Sequence, residues 1–289
     1  MAVYARVEVL SLGDQNNIEI PGDVVFLGAG RMATALAEGF VSSAGLAPGR
    51  VYASDPNAAA RQKFLERVPG ATAGAANAEV LPKAGIVFLA VKPQVIDELL
   101  RDVGKSIPAD ALVVSLAAGV TLSRLASRLP KRARLVRVMP NTPCLVGRGA
   151  SAFSLGEHAT PGDAELVAGL LSAVGYAVCV EEKHLDAVTG LSGSGPAFVY
   201  TVVEALADAG VRAGLPRDIA LKLAAETVGG AAEMVATTGE HPAALRDAVT
   251  SPAGTTAAGL AELERHGLPW ALQAAVAAAT QRSRELAEG

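Results

Sequence analysis

The chain has little of what would mark a secreted, metal-binding or nucleic-acid-binding protein. Among 289 residues there are two cysteines, Cys144 and Cys179. Two thiols make no disulfide framework, and no C-x-x-C or His/Cys cluster suggests zinc. A reducing cytoplasm fits that usage. Charge is also sparse, at 19% of residues, with Lys plus Arg at 25 and Asp plus Glu at 29, a net charge of -4. So mild an acidic balance gives no electrostatic footprint for nucleic acid and gains nothing from an anionic membrane. Gly, Pro and charged residues break every apolar run before it reaches the length of a membrane-spanning helix. Residues 1–22 include Glu8, Asp14 and Glu19 without a continuous apolar stretch. They are expected to form an extension ahead of the first core strand, not a signal peptide or an anchor.

What is abundant is apolar and small. Hydrophobic residues make up 51% of the chain, enough for a full core and far from a disordered composition. From residue 23 to about 182, short apolar runs alternate with helical spacing. Val24-Val25-Phe26-Leu27 ends in Gly28, and residues 31–43 are helical in pattern. Strands are expected at 51–53, 85–91, 112–116 and 135–139, with a helix at 57–68. A further pair at 150–153 and 176–180 brackets a helix that begins near Pro161. This pattern predicts an α/β fold, a Rossmann-type doubly wound sheet of mostly parallel strands covered on both faces. Residues 183–289 hold no convincing strand. They read as an all-α domain punctuated by Gly-Leu-Pro at 214–216 and 267–269 and by Ser-Pro-Ala-Gly at 251–254. Its Ala- and Gly-rich helices, notably at 216–236, and its few aromatics suggest a domain that completes its core against a second copy.

Gly28-Ala29-Gly30-Arg31-Met32-Ala33 is a G-x-G-x-x-A sequence placed directly after a strand and at the start of a helix. The first glycine permits the tight turn, the second lets backbone approach a pyrophosphate, and Ala33 allows close packing of helix on strand. The pyrophosphate then rests on open amides at the helix N-terminus. Without a ligand the same sequence is a tight strand-to-helix turn. Asp55 closes the second strand, where a carboxylate accepts from ribose hydroxyls and repels a 2′-phosphate, which favours NADH. It equally suits a cap for the next helix, with Pro56 in the first turn. Arg61, further along, is placed to neutralise a phosphate. Asn77 reads by itself as a simple N-cap.

Five segments together resemble the pyrroline-5-carboxylate reductase family over nearly all of the chain after Asp23. They are Phe88-Leu89-Ala90-Val91-Lys92-Pro93-Gln94, Ser115-Leu116-Ala117-Ala118-Gly119-Val120, Met139-Pro140-Asn141-Thr142-Pro143, the run D-A-V-T-G-L-S-G-S-G-P-A at 186–197, and Thr250-Ser251-Pro252-Ala253-Gly254-Thr255-Thr256. Two positions depart from the pattern. Residue 253 is Ala where the family often has Gly, and Asp55 stands where NADPH-using members tend to carry a small polar residue.

The resemblance implies an enzyme that reduces 1-pyrroline-5-carboxylate to L-proline with NADPH or NADH, the final step of proline biosynthesis, working as a homodimer that assembles into a decamer. It implies that Gly28, Ala29, Gly30, Arg31, Met32, Asp55, Asn77, Ala90, Val91, Lys92, Pro93, Ala117, Ala118 and Gly119 line the cofactor. No metal is implied. Lys92 ends a strand at the carboxyl edge of the sheet and can reach cofactor ribose or a substrate carboxylate; otherwise it is a surface lysine. Residues 139–143 would form a rigid loop near the nicotinamide. Gly254, Thr255 and Thr256 are the expected substrate grip, with Ser251 capping a helix that Pro252 begins and with the Thr256 hydroxyl offered to the ring nitrogen. Residues 192–196 read as a close helix contact beside the site. β-Hydroxyacid dehydrogenases of similar architecture place a catalytic Lys and an Asn where this chain has Val199 and Val203, so alcohol oxidation of that kind lacks its proton-transfer residue. The alternatives are a related imine or hydroxyacid reductase acting on another small acid, and a dinucleotide-sensing protein without turnover. His158, His184, His241 and His266 read as surface or capping residues.

Overall fold

A computed structural model describes residues 20–288; the expected N-terminal extension, up to residue 19, lies outside them. Eight strands build one sheet: β1 (Asp23–Leu27), β2 (Val51–Ser54), β3 (Thr72–Gly74), β4 (Ala84–Leu89), β5 (Leu112–Ser115), β6 (Arg134–Met139), β7 (Gly149–Leu155) and β8 (Gly175–Cys179). Their order is β3-β2-β1-β4-β5-β6-β7-β8. Every neighbouring pair is parallel except β6 and β7, which run antiparallel with Val138 opposite Phe153. The crossover helices are α1 (Arg31–Ser42), α2 (Ala58–Arg67), α3 (Ile96–Val103), α4 (Leu122–Ala126) and α5 (Pro161–Ser172).

Strand residues are apolar on both faces because both faces are covered. Along β1, Val24 and Phe26 enter one core while Val25 and Leu27 enter the other. The first core takes Leu36 and Phe40 of α1, Phe64 of α2 and Leu170 of α5. Phe26 and Phe88 stack there at 4.8 Å between ring centres. The second core takes Ile96 and Leu100 of α3 and Leu122 and Leu125 of α4. The two residues that end β1 and β4, Leu27 and Leu89, are fully buried, so the loops after them start from fixed points.

By internal packing the described chain divides into residues 20–193 with 279–288, and residues 194–278. The sequence expectation puts the boundary at 182–183. The short helix α6 (Leu185–Val188) instead groups with the sheet, because Leu185 is fully buried and Asp186 is bonded into that unit. The second unit contains α7 (Gly195–Arg212), α8 (Arg217–Thr238), α9 (Pro242–Ala248), α10 (Thr255–Arg265) and the start of α11 (Leu268–Glu288). α7 and α8 pack through small residues: a Cβ on Gly210 would stand 3.1 Å from the Ala220 methyl. Tyr200, Leu221, Leu223, Met234 and Trp270 remain exposed, Trp270 by 73%. Apolar surface on this scale is typical of surfaces that meet a partner. Among the described residues, no helix is long and apolar enough to cross a membrane.

Candidate active site

The turn after β1 is built from backbone. Gly28 has φ +104°, and its N–H donates to the Ser54 carbonyl at 2.7 Å. A Cβ there would lie 2.6 Å from the Ala90 carbonyl oxygen, so no other residue fits. Gly30 is the N-cap of α1 and offers no side-chain cap, which leaves the first-turn amides of Arg31, Met32 and Ala33 without one. Nothing lies within 4 Å of where a Gly30 Cβ would stand. Open amides facing open space at a helix N-terminus fit a pyrophosphate. Ala33 is fully buried, as close packing of α1 on β1 requires.

Asp55 serves this turn directly. Its Oδ2 accepts the Ala29 N–H at 3.0 Å, and its Oδ1 accepts the Asn57 N–H at 2.8 Å. The cap of α2 is Asn57, whose Oδ1 accepts from the Ala59 and Ala60 amides. That corrects the reading of Asp55 as the cap. Two backbone donors hold the carboxylate at the end of β2, the position that meets a ribose in this fold. The Arg61 guanidinium donates to the Asp55 and Pro56 carbonyls at 2.7 and 3.1 Å, which puts a cation at the same strand end. Asn77 is not an N-cap either. Its Oδ1 accepts from the buried Ser54 hydroxyl at 2.6 Å, and its Nδ2 donates to Asp102 at 3.3 Å.

The other expected cofactor residues leave the same sheet edge. Ala90 follows β4, and its N–H donates to the Leu27 carbonyl. Lys92 is exposed ahead of the single turn that Pro93 opens. Ala117 is buried after β5, its N–H bonded to the Ser115 hydroxyl at 3.3 Å. Gly119 has φ +72°, and a Cβ there would stand 3.3 Å from Leu286 Cβ in α11. The loop from Met139 to Pro143 leaves β6, so residues after β1, β2, β4, β5 and β6 converge at the carboxyl ends of parallel strands, where open α/β sheets bind ligands.

Gly254, Thr255 and Thr256 lie in the second unit. Pro252 and Ala253 do not begin a helix. Residues 251–254 make a turn closed by the Gly254 N–H on the Ser251 carbonyl at 3.0 Å, and α10 starts at Thr255 with Gly254 as its N-cap. This corrects the expectation of a Ser251 cap and a Pro252 start. Gly254 supplies no side-chain cap, so the amides of the first turn, including Thr255 and Thr256, keep hydrogens to offer. Ala253 has φ +56°, the only positive value on a non-glycine residue among the described residues. Pro at the second turn position with positive φ at the third is a type II pattern, which favours glycine there. Left-handed backbone costs alanine roughly 1–2 kcal/mol, part of which glycine loses again through its freer unfolded chain. Ala253→Gly is therefore expected to stabilise the protein by about 0.5 kcal/mol, a rise of one or two degrees in the thermal midpoint. A lowered midpoint would show that Ala253 is not strained.

Several residues around the site carry no local sequence signal. Arg137 on β6 is buried and donates to Glu182 at 3.0 Å, and it stands 3.9 Å from Asp186. Glu182 also accepts the first amide of α4, from Leu122, at 2.7 Å, and Asp186 accepts from the buried Ser283 hydroxyl of α11 at 2.7 Å. One buried cation thus ties β6 to segments 45 and 49 residues away along the chain. Cys144 packs its sulfur 3.7 Å from Met32, joining the loop after β6 to α1. The tract Thr189–Gly193 is a π-helical turn, where a Gly193 Cβ would meet Met139 Cε at 2.4 Å. His241 caps α9 by accepting the Ala243 N–H.

A doubly wound sheet with an open glycine turn and a carboxylate at the end of β2 defines a Rossmann-type dinucleotide-binding oxidoreductase. Residues 23–119 match the family model described as NADP oxidoreductase, coenzyme F420-dependent, and residues 182–286 match the model for pyrroline-5-carboxylate reductase dimerisation. The chain is 46% identical over 265 residues to a pyrroline-5-carboxylate reductase of Arabidopsis thaliana, covering 92% of this chain and 95% of that one. It superposes on the Coxiella burnetii pyrroline-5-carboxylate reductase with a TM-score of 0.85 and 33% identity, covering 92% of this chain and 98% of the other. A Plasmodium falciparum pyrroline carboxylate reductase solved with NADP bound gives a TM-score of 0.83 and 29% identity, over 93% and 99% of the two chains. The chain belongs to the pyrroline-5-carboxylate reductase family, as its motifs imply.

Proposed function

We propose that the protein reduces 1-pyrroline-5-carboxylate to L-proline. The observation that carries this reading is the relationship over 92% of the chain to a reductase of that name. The reduced nicotinamide supplies the hydride. Gly28, Ala29, Gly30, Arg31 and Met32 would hold its pyrophosphate, and Asp55 and Asn77 would hold its adenine-side ribose. Ala90, Val91, Lys92, Pro93, Ala117, Ala118 and Gly119 would line the rest of the bound dinucleotide. The open amides of Thr255 and Thr256 bind the substrate carboxylate without an arginine, helped by the positive end of α10. The Thr256 hydroxyl bonds the ring nitrogen and orients a protonated imine. Once protonated, the cyclic imine carbon is electrophilic enough that alignment and exclusion of water are the protein's main tasks. A site poor in titratable side chains suits that chemistry. Oxidation of NADH or NADPH by purified protein only when the cyclic imine is added tests the reading, and no turnover with either dinucleotide would sink it.

Both dinucleotides serve, and Asp55 and Arg61 set their ratio. The Asp55 carboxylate disfavours a 2′-phosphate, and the Arg61 guanidinium offsets it. Asp55→Ser should weaken both dinucleotides slightly, since the Ala29 amide loses its acceptor, yet favour NADPH over NADH by about tenfold in the ratio of Kd values. Titration of reduced-nicotinamide fluorescence reads this directly. An unchanged ratio would leave Asp55 as a support of the turn alone. The exposed apolar side chains of the helical unit form a homodimer, and dimers associate into a decamer in the cytoplasm. Light scattering that found a stable, active monomer would contradict this assembly.

A further inference from the structure

Asn141 has no part in the chemistry above, yet it is buried, 6% exposed, where three segments meet. Its Oδ1 accepts the Ala150 N–H at 2.8 Å, which ties the loop after β6 to β7. Its Nδ2 donates to the Ser192 carbonyl at 3.0 Å, which ties the same loop to the π-helical turn. One planar group must both accept and donate here, and a side-chain amide does both. The residue after Ser192 is Gly193, which lies beside the flexible end of Met139: a Cβ there would meet its terminal methyl at 2.4 Å. The bond from Asn141 therefore places the backbone beside Gly193, next to the Met139 side chain.

We propose that Asn141 is a positioning residue for hydride transfer: by tying the loop after β6 to both Ala150 of β7 and the Ser192 carbonyl, it sets that loop and Met139 at the carboxyl end of β6. The role rests on the reductase reading. It acts through geometry, so it should appear in kcat and leave dinucleotide binding alone.

Asn141→Asp separates the two bonds. A carboxylate still accepts from Ala150 but repels the Ser192 carbonyl. A protonated carboxyl restores the donor. Burial and the facing carbonyl raise the pKa of such an acid above its unfolded value, so the variant is stabilised at low pH and loses that stability as pH rises through its folded pKa. Both partners of Asn141 are uncharged backbone groups. The nearby Cys144 thiol, pushed up to about 11 by burial, stays neutral throughout. At pH 8 the variant should show kcat lowered about tenfold, with the dinucleotide Kd within about twofold of wild type. Between pH 8 and 5.5 it should recover both kcat and thermal midpoint relative to wild type. A variant that matches wild type throughout, or that loses activity equally at every pH, overturns the role. If the variant does not fold, Asn141→Ser decides: its one short hydroxyl cannot span both partners, so kcat should fall about tenfold with the dinucleotide Kd kept, and a wild-type kcat overturns the proposal. A wild-type protein inactive toward the imine overturns the reductase reading and this role with it. An active wild type beside a pH-insensitive Asn141→Asp overturns this role alone.

Discussion

Gly28→Ala is expected to raise the Kd for reduced dinucleotide by at least about a hundredfold and to lower the thermal midpoint. A φ of +104° costs alanine more than the roughly 1–2 kcal/mol of an ordinary left-handed residue, because it lies well outside that region. The added methyl would also sit 2.6 Å from the Ala90 oxygen, a backbone atom that cannot step aside alone. Relief must come from moving the end of β4, which carries Val91 and Lys92, or from opening the turn that positions the amides of α1. If the turn cradles the pyrophosphate as proposed, either movement spoils it, and a loss of about 3 kcal/mol or more in binding follows. Fluorescence titration of the reduced dinucleotide checks the first effect and a thermal melt the second. A Kd within threefold of wild type would mean that the turn is not where the dinucleotide rests.

Thr256→Ala is expected to fail differently. On the proposed reading the hydroxyl lost bonds a charged nitrogen, an interaction worth about 1.5–3 kcal/mol, so kcat/KM should fall about ten- to hundredfold. Fold and dinucleotide affinity should hold, since α10 draws its cap from Gly254 and not from Thr256. Thr256→Ser should restore most of the activity. Normal turnover by the alanine variant would place the substrate elsewhere and leave the Gly254–Thr255 backbone without a demonstrated ligand.

The strands that carry the site are legible in the sequence because they are buried on both faces. Val24 through Leu27 and Ile86 through Leu89 are unbroken apolar runs for that reason. β3 is not legible. Thr72-Ala73-Gly74 is three residues long, lies at the sheet edge and has no side chain that marks a strand. Capping is half legible. Asp55, Asn57, Asn77 and Ser251 all suit an N-cap by type, but only Asn57 acts as one, because the others are drawn into turns or longer-range bonds. The strain at Ala253 follows from a turn whose presence pushes the helix start from Pro252 to Thr255. Arg137 and Asn141 stand in sequence as a basic residue in a strand and a polar residue between prolines. Their meaning comes from partners 45 and 51 positions away, and no local pattern encodes such a pairing.

The bond between Ser283 and Asp186 spans 97 residues and sets an order of events during synthesis. The sheet-bearing unit receives residues 279–288 only after the whole helical stretch from 194 to 278 has emerged. Until then Gly119 lacks the Leu286 turn beside it, and the Asp186 carboxylate waits without its hydroxyl donor. Closing so long a loop is entropically slow, and contacts of this span weigh most on folding rate. The sheet-bearing unit therefore stays incomplete until residues 279–288 have emerged. A cut near residue 278 removes part of the sheet-bearing unit as well as the end of a helix, and the two units are poor candidates for separate expression.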